Sequence, residues 1–207
     1  DIEVRPARLR GIAVPERLVP LAIDEFPAFF VAAACAEGET VVTGAEELRV
    51  KESDRIAVMA AGLSALGVAN EVSEGGLRIM GGPIGPGTVD SRGDHRIAMS
   101  FAVASLRSSG PIEILDTANV ATSFPGFVGL ARSVGLTIEV AAAVKRNQQG
   151  HSHLFSLWSA SHLYRPTNEP VSTGAKDGLP SPDQQMAATT YLLNKLNRVW
   201  GPSPRAE

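Results

Sequence analysis

Three cations stand where elementary electrostatics disfavours them. Lys51 and Arg55 bracket Glu52-Ser53-Asp54, and Arg96 follows Asp94-His95, in each case at the start of an apolar, helix-forming stretch. A helix N-terminus carries unpaired N–H groups and the positive end of the macrodipole, so it attracts anions and repels cations. Capping accounts for Asp24, Ser53, Asp94 and Ser123, each just ahead of such a stretch, and Pro125 suits the first turn of the helix after it. Capping does not account for Lys51, Arg55 or Arg96. Each needs an anionic partner to offset its position, either a nearby carboxylate or an anionic ligand, and spacing alone leaves both options open. The chemistry these residue types could do is recognition of a small, multiply charged anion, with carboxylates alongside to accept and return protons.

The elements that must position these groups follow from hydrophobic periodicity. Phe26 to Ala36 is apolar nearly all round, which predicts a buried helix ended by Gly38. Glu39 to Thr43 reads as a strand. Asp54 to Leu66 places Ile56, Met59, Leu63 and Leu66 on one helical face, and Gly67 closes it. Asn70 to Ser73 and Leu77 to Met80 flank Gly75-Gly76 and predict a hairpin. The plan then recurs. Ile97 to Leu106 is a helix, Ile112 to Leu115 a strand, Pro125 to Val134 a helix and Thr137 to Val140 a closing strand. Asp24 and Asp94, 70 residues apart, each precede an apolar helix. Such a repeat describes helix-and-sheet units that need a neighbour to cover them. Asp1 to Val19 reads as the strand end of a preceding unit, and the opening on Asp1-Ile2-Glu3-Val4 reads as a cut through a longer protein. The expected domain is α/β, with helices inside and sheets outside.

The 207 residues are 44% apolar and 20% charged, a core-forming balance. A formal charge of −3 argues against a general nucleic-acid binder while leaving room for a local basic pocket. No stretch approaches the roughly 18 apolar residues of a membrane-spanning helix. The lone Cys35 excludes an internal disulfide, suits a reducing cytoplasm, and reads as a small buried filler. After about Ala143 the character changes. His151, His153 and His162, both Trp, both Tyr and six Pro fall in residues 144–207. This part is unassigned and expected to be a flexible extension, with one helix plausible from Asp183 to Val199. The His151-Ser152-His153 pair is a weak metal signal, better read as an exposed loop, and no metal is expected.

Four segments carry a family resemblance. Ala22 to Pro27, Glu46 to Arg55, Gly93 to Met99 and Ala121 to Pro125 closely resemble, in wording, order and spacing, motifs of the 5-enolpyruvylshikimate-3-phosphate synthases. The likeness covers about residues 1–141, roughly the last third of such an enzyme. Thr122, in Thr-Ser-Phe-Pro, looks more like the glyphosate-insensitive class. The resemblance implies an inside-out barrel of repeated helix-and-sheet units, here incomplete, with residues 1–143 forming two units plus the end of a third. It implies a cytoplasmic shikimate-pathway enzyme that needs no cofactor. That enzyme transfers the enolpyruvyl group of phosphoenolpyruvate to the 5-hydroxyl of shikimate 3-phosphate through a tetrahedral intermediate.

Carried onto these residues, Asp24 would accept the hydroxyl proton. Lys51 would bridge the substrates and protonate the leaving phosphate, and Glu52 would exchange a proton with the methylene carbon. Arg55 and Arg96 would clamp the phosphoenolpyruvate carboxylate and phosphate. His95, Glu47 and Asp94 are further candidates. His95 would support Glu52 or the phosphate, or serve structurally. Glu47 is otherwise a surface carboxylate, and Arg96 is otherwise a salt-bridge partner of Asp94. The family's site lies between two domains, and the missing N-terminal domain would be the partner supplying most shikimate 3-phosphate contacts, so the isolated chain is expected not to turn over. Two alternatives stand beside this reading. One is a truncated, catalytically incompetent fragment. The other is a relative of the enolpyruvyl transferase that acts on UDP-N-acetylglucosamine, whose Arg and Lys motifs are worded differently.

Overall fold

The structure, a computed structural model, describes residues 7–146 and 152–161. The first helix, α1 (Phe26–Ala34), has no exposed residue on any face, as an all-round apolar sequence requires. Phe26 and Phe30 are fully buried within a tilted ring cluster that Phe29 completes. Helix α1 packs against the strand Gly76–Met80, the neighbour of β1 (Glu39–Val42) in its sheet, and against α2 (Arg55–Ala65) and α3 (His95–Ala104). The helices therefore form the interior. Gly62 of α2 marks a close approach between repeats, since a Cβ there would meet the Phe101 ring of α3 at 2.3 Å.

Two sheets cover the helices, and they share a strand plan. In the first, β3 (Gly76–Met80) lies between β1 and β2 (Asn70–Ser73), antiparallel to both. Residues 9–14 run parallel beside β1, with Gly11 N–H donating to Glu37 O at 2.8 Å and Val41 N–H to Ile12 O at 2.9 Å. In the second, β4 (Gly87–Asp90) runs parallel beside β5 (Ile112–Leu115), followed by β7 (Ser152–Ser161) and β6 (Thr137–Arg146). The repeat read from the spacing of Asp24 and Asp94 is thus a repeat of sheet topology. Alternation fixes the faces: Ile112 and Ile114 are buried, while Glu113 between them faces outward and accepts from Thr88 Oγ1 at 2.9 Å.

Several expectations need correcting. The helix expected over Pro125 to Val134 is two pieces, α4 (Val120–Ser123) and α5 (Phe127–Ser133), broken at Phe124, whose φ is −142°. Thr122 and Ser123 therefore end a short turn of helix instead of opening a long one, and Ser123 caps nothing. Asp24 is not a cap either. It lies in a 3-10 turn, Pro20–Glu25, leading into α1, whose N-cap position is Glu25. Helix α2 is capped by Asp54, Oδ1 accepting from Ala57 N–H at 3.0 Å, and not by Ser53. Only Asp94 caps as expected, accepting from Arg96 N–H at 2.9 Å.

Cys35 is half-buried against the core, and that burial pushes its thiol pKa up. The sheet runs past residue 143, the expected boundary. Thr137–Arg146 pairs along its length with Ser152–Ser161, and Trp158 is buried with its ring stacked on Phe127 at 5.6 Å. His153 lies on β7 opposite Lys145, so it belongs to a strand and not to a loop. His151, His162 and the helix expected from Asp183 lie outside the described residues. Among the described residues no helix is long and apolar enough to cross a membrane.

Candidate active site

The starts of α1, α2 and α3 converge, and their charged residues meet around Asp24. Arg55 Nη1 donates to Asp24 Oδ1 at 3.0 Å, Lys51 Nζ lies 3.8 Å from the same oxygen, and Arg96 Nη2 lies 3.9 Å from Oδ2. Arg96 Nη1 also donates to the Asp24 carbonyl at 3.0 Å and lies 3.8 Å from Glu25. Three cations from two repeats thus address one carboxylate.

Arg55 is the buried centre of this cluster. Its guanidinium is fully covered, and each nitrogen reaches a different acid: Nε donates to Asp94 Oδ2 at 2.8 Å, Nη1 to Asp24 and Nη2 to Glu52. Burial works against its charge, but the hydrogen bond and field of Asp94, with Glu52 and Asp24, outweigh burial and raise its pKa. Asp94 is equally buried. One oxygen caps α3 while the other takes Arg55 and, at 3.2 Å, the Ser53 hydroxyl. The loop holding Asp94 in place is unusual in its backbone. Arg92 and Gly93 both have positive φ, 54° and 73°, and Asn119 clamps Gly93 O at 2.6 Å.

Of the two options left open by the sequence, carboxylates are the partners seen. Lys51 Nζ hydrogen-bonds Glu47, which raises the lysine's pKa, and the charge of Asp24 adds to the effect. Arg96 pairs with Asp24 and Glu25, not with Asp94, whose free oxygen is taken by Arg55. Asp24 is half-exposed. Burial pulls its pKa up, but the Arg55 hydrogen bond and the charges of Arg96 and Lys51 more than compensate, holding the carboxyl below its usual range. Glu52 is half-exposed on the same rim, its side chain 49% accessible. His95 is half-buried in the first turn of α3 and makes no hydrogen bond to a described residue. Thr122 is exposed and donates to Asn119 O at 2.9 Å.

The arrangement brings together Asp24, Lys51, Glu52, Arg55, Asp94 and Arg96, with Glu47 attached through Lys51. It offers an ionised carboxylate, a protonated amine and two guanidinium groups within reach of one point, which is an oxyanion-binding and proton-transfer set. Among the described residues no group of three or more His, Cys, Asp and Glu is arranged to hold a metal ion. Three contributors were not read from sequence: Asp54 as cap, Glu25 as partner of Arg96, and Arg49, whose guanidinium spans several neighbours. No periodicity marks them, because their partners are single groups: the Ala57 N–H for Asp54, Arg96 for Glu25, and Asp54 with the Ser73 and Glu74 carbonyls for Arg49.

Comparison with known proteins follows the same residues. A family model described as EPSP synthase (3-phosphoshikimate 1-carboxyvinyltransferase) matches residues 1–130. A 3-phosphoshikimate 1-carboxyvinyltransferase of Acidithiobacillus ferrooxidans is 66% identical over 143 residues, covering 69% of this chain and 33% of the relative. One from Methylococcus capsulatus is 65% identical over 141 residues, covering 68% and 32%. Among solved structures, an EPSP synthase from Acinetobacter baumannii superposes with a TM-score of 0.59 at 58% identity, covering 60% of this chain and 30% of that one. The chain spans about a third of the length of the curated relatives it matches.

Proposed function

Because the chain belongs to the EPSP synthase family, we propose that the cluster around Asp24 is the phosphoenolpyruvate-handling half of a 3-phosphoshikimate 1-carboxyvinyltransferase site. The observation that carries this reading is the convergence of Lys51, Arg55 and Arg96 on one half-exposed carboxylate. In the reaction, the 5-hydroxyl oxygen of shikimate 3-phosphate bonds to C2 of phosphoenolpyruvate. Asp24 takes the hydroxyl proton; its depressed pKa keeps it ionised but makes it a weak base, and the transfer proceeds because the hydroxyl gains acidity as it attacks. The methylene carbon gains a proton through Glu52 and becomes a methyl group. Elimination then returns that proton to Glu52, breaks the bond from C2 to phosphate, and sends the Lys51 proton to the departing oxygen.

Arg96 is the more accessible guanidinium, its side chain 34% exposed, and it is the clamp a ligand meets first. Arg55 is covered. It reaches an anion only where that anion replaces Asp24 or Glu52 on Nη1 or Nη2, while Asp94 keeps Nε. Glu47 gives up Lys51 in the same exchange. Removing one desolvated clamp arginine is expected to cost about 2–4 kcal/mol of transition-state stabilisation.

Residues 1–143 are the transferase part, a reading supported by the family match to residues 1–130, and the rest is an extension whose strand β7 is built into the sheet. The remaining two thirds of the relatives' length would supply the facing domain and most contacts to shikimate 3-phosphate, in the cytoplasm. The chain is then the C-terminal portion of such an enzyme, and the Thr122 form of its motif supports the glyphosate-insensitive class. The relatives all carry the transferase name, which favours a catalytic reading over a non-catalytic fragment.

The test joins this chain to the part of the Acidithiobacillus ferrooxidans relative outside the match and follows phosphate release. Release is expected to require both substrates and to be abolished by Asp24→Ala and by Lys51→Ala. Full rate in either variant overturns the site assignment, and no release from a folded, intact joined enzyme overturns the reading as a whole.

A further inference from the structure

We infer that Arg49 is a positioning residue that sets the geometry of the Lys51-Glu52 loop. The inference rests on the proposed function for the roles of Lys51 and Glu52, but its structural part stands by itself. Arg49 lies near the end of the 3-10 turn Glu46–Val50, and each nitrogen of its guanidinium makes one hydrogen bond. Nη1 donates to Asp54 Oδ2 at 2.8 Å, Nε to Glu74 O at 2.7 Å and Nη2 to Ser73 O at 2.6 Å. One planar fork thus ties together the end of that turn, the N-cap of α2 and the turn between β2 and β3. A guanidinium suits this task because its donors are held rigidly in one plane.

The residues between the two ends of the Arg49–Asp54 bridge are Val50, Lys51, Glu52 and Ser53. Val50 projects into solvent at 80% exposure, so core packing does not hold this loop. The buried anchors are Leu48 before it and Arg55 and Ile56 after it. Within the loop, Ser53 donates to Asp94 at 3.2 Å, and Lys51 and Glu52 are held by ion pairs that a ligand would exchange. Besides Ser53 on Asp94, the brace that survives such an exchange is Arg49 on Asp54. Asp54 completes it by using its other oxygen to cap α2, so the loop and the helix carrying Arg55 share one fixed point.

The geometry separates two effects. Without Arg49, Lys51 and Glu52 lose their fixed path, while Arg55 stays on α2 against Asp94 and Arg96 stays on α3. Proton transfer should suffer more than anion binding, which keeps both Arg55 and Arg96. A misplacement of about 1 Å can lower a rate by roughly 10²-fold.

The experiment has two readouts on Arg49→Ala, Arg49→Lys and Asp54→Asn, the last keeping a capping side chain while removing the charge that Arg49 meets. In the 207-residue chain, backbone NMR order parameters at residues 51–53 are expected to fall below about 0.6, with those in α2 and α3 unchanged near about 0.85. In the joined enzyme, kcat for Arg49→Ala is expected to fall at least tenfold while KM for phosphoenolpyruvate changes less than about threefold, with Arg49→Lys intermediate. Unchanged order parameters at residues 51–53 overturn the inference whatever the reaction proves to be. Lowered order throughout α2 and α3, in Asp54→Asn as in Arg49→Ala, marks a general structural role and overturns it as well. Locally lowered order with full kcat in Arg49→Ala, where Lys51→Ala is dead, overturns the positioning role alone. Full activity in Lys51→Ala sinks the proposed function and the positioning role with it.

Discussion

Replacing Asp94 with Ala tests whether the converging helix starts are held by their charges. Two losses follow from the structure. The α3 cap disappears, because Oδ1 no longer accepts from Arg96 N–H, at about 1 kcal/mol. Arg55, fully covered, loses its one equally covered partner. Stranding a buried charge costs about 3–5 kcal/mol, and the lower end applies because Asp24 and Glu52 still reach the guanidinium from the solvent side. The sum is about 4 kcal/mol, a large part of the roughly 5–15 kcal/mol that holds a typical domain together. Asp94→Asn keeps an acceptor at the cap and is expected to lose about 2–3 kcal/mol, the charge component alone. Urea unfolding at neutral pH measures both as shifts of the midpoint at constant slope. The double variant Arg55→Leu with Asp94→Ala should be at least about 2 kcal/mol better than the sum of the single losses, since neither charge is then stranded. Additive losses, or a cost under about 1 kcal/mol for Asp94→Ala, would show that the buried pair does not organise the site.

Three further outcomes follow from other parts of the fold. The carboxyl of Asp24 is held below its ordinary 3.8, so its contribution to stability is complete above that value and fades as pH falls through the depressed one. The stability gap between wild type and Asp24→Asn should therefore narrow in urea titrations below about pH 3.8, and a gap that widens on acidification contradicts the charge arrangement. Gly62→Ala would gain about 1 kcal/mol in helix propensity, but the added methyl meets the fully buried Phe101 ring at 2.3 Å. A net loss of about 1–3 kcal/mol is expected in thermal unfolding, and a stabilised variant would show that the two repeats do not approach so closely. Trp158→Ala removes the ring stacked on Phe127 and should cost about 3–5 kcal/mol. A negligible effect on unfolding would mean that β7 adds nothing to the sheet.

Much of this architecture was legible because burial leaves a periodic mark. The all-round apolar run from Phe26 and the single-faced run from Ile56 became α1 and α2 within two residues, and Ile112 to Leu115 became β5 residue for residue. The charged groups expected to act together do meet, since helix N-termini that carry them converge. What sequence could not decide was pairing. Asp24 is the expected cap and Asp54 is not, yet Asp54 caps a helix while Asp24 meets three cations distant in sequence, Arg55 by 31 residues and Arg96 by 72. The break at Phe124 was hidden because Pro125 fits a first helical turn as well as a kink between two short helices. Strand β7 was missed because Ser152 to Ser161 alternates weakly and follows a change of composition. Its place is fixed by the partners on either side, β5 and β6, and not by its own pattern.

Helix α1 carries a cost that concerns the order of synthesis. It has no face fit for water, yet its covering partner α3 is made only after β1, α2 and the strands β2 to β4 have been made. A growing chain therefore holds three phenylalanines without a full shelter until the second repeat arrives. The first repeat alone leaves part of α1 uncovered, so the two repeats are expected to fold as one cooperative body, and a ribosome stalled between them would present a sticky surface to whatever passes.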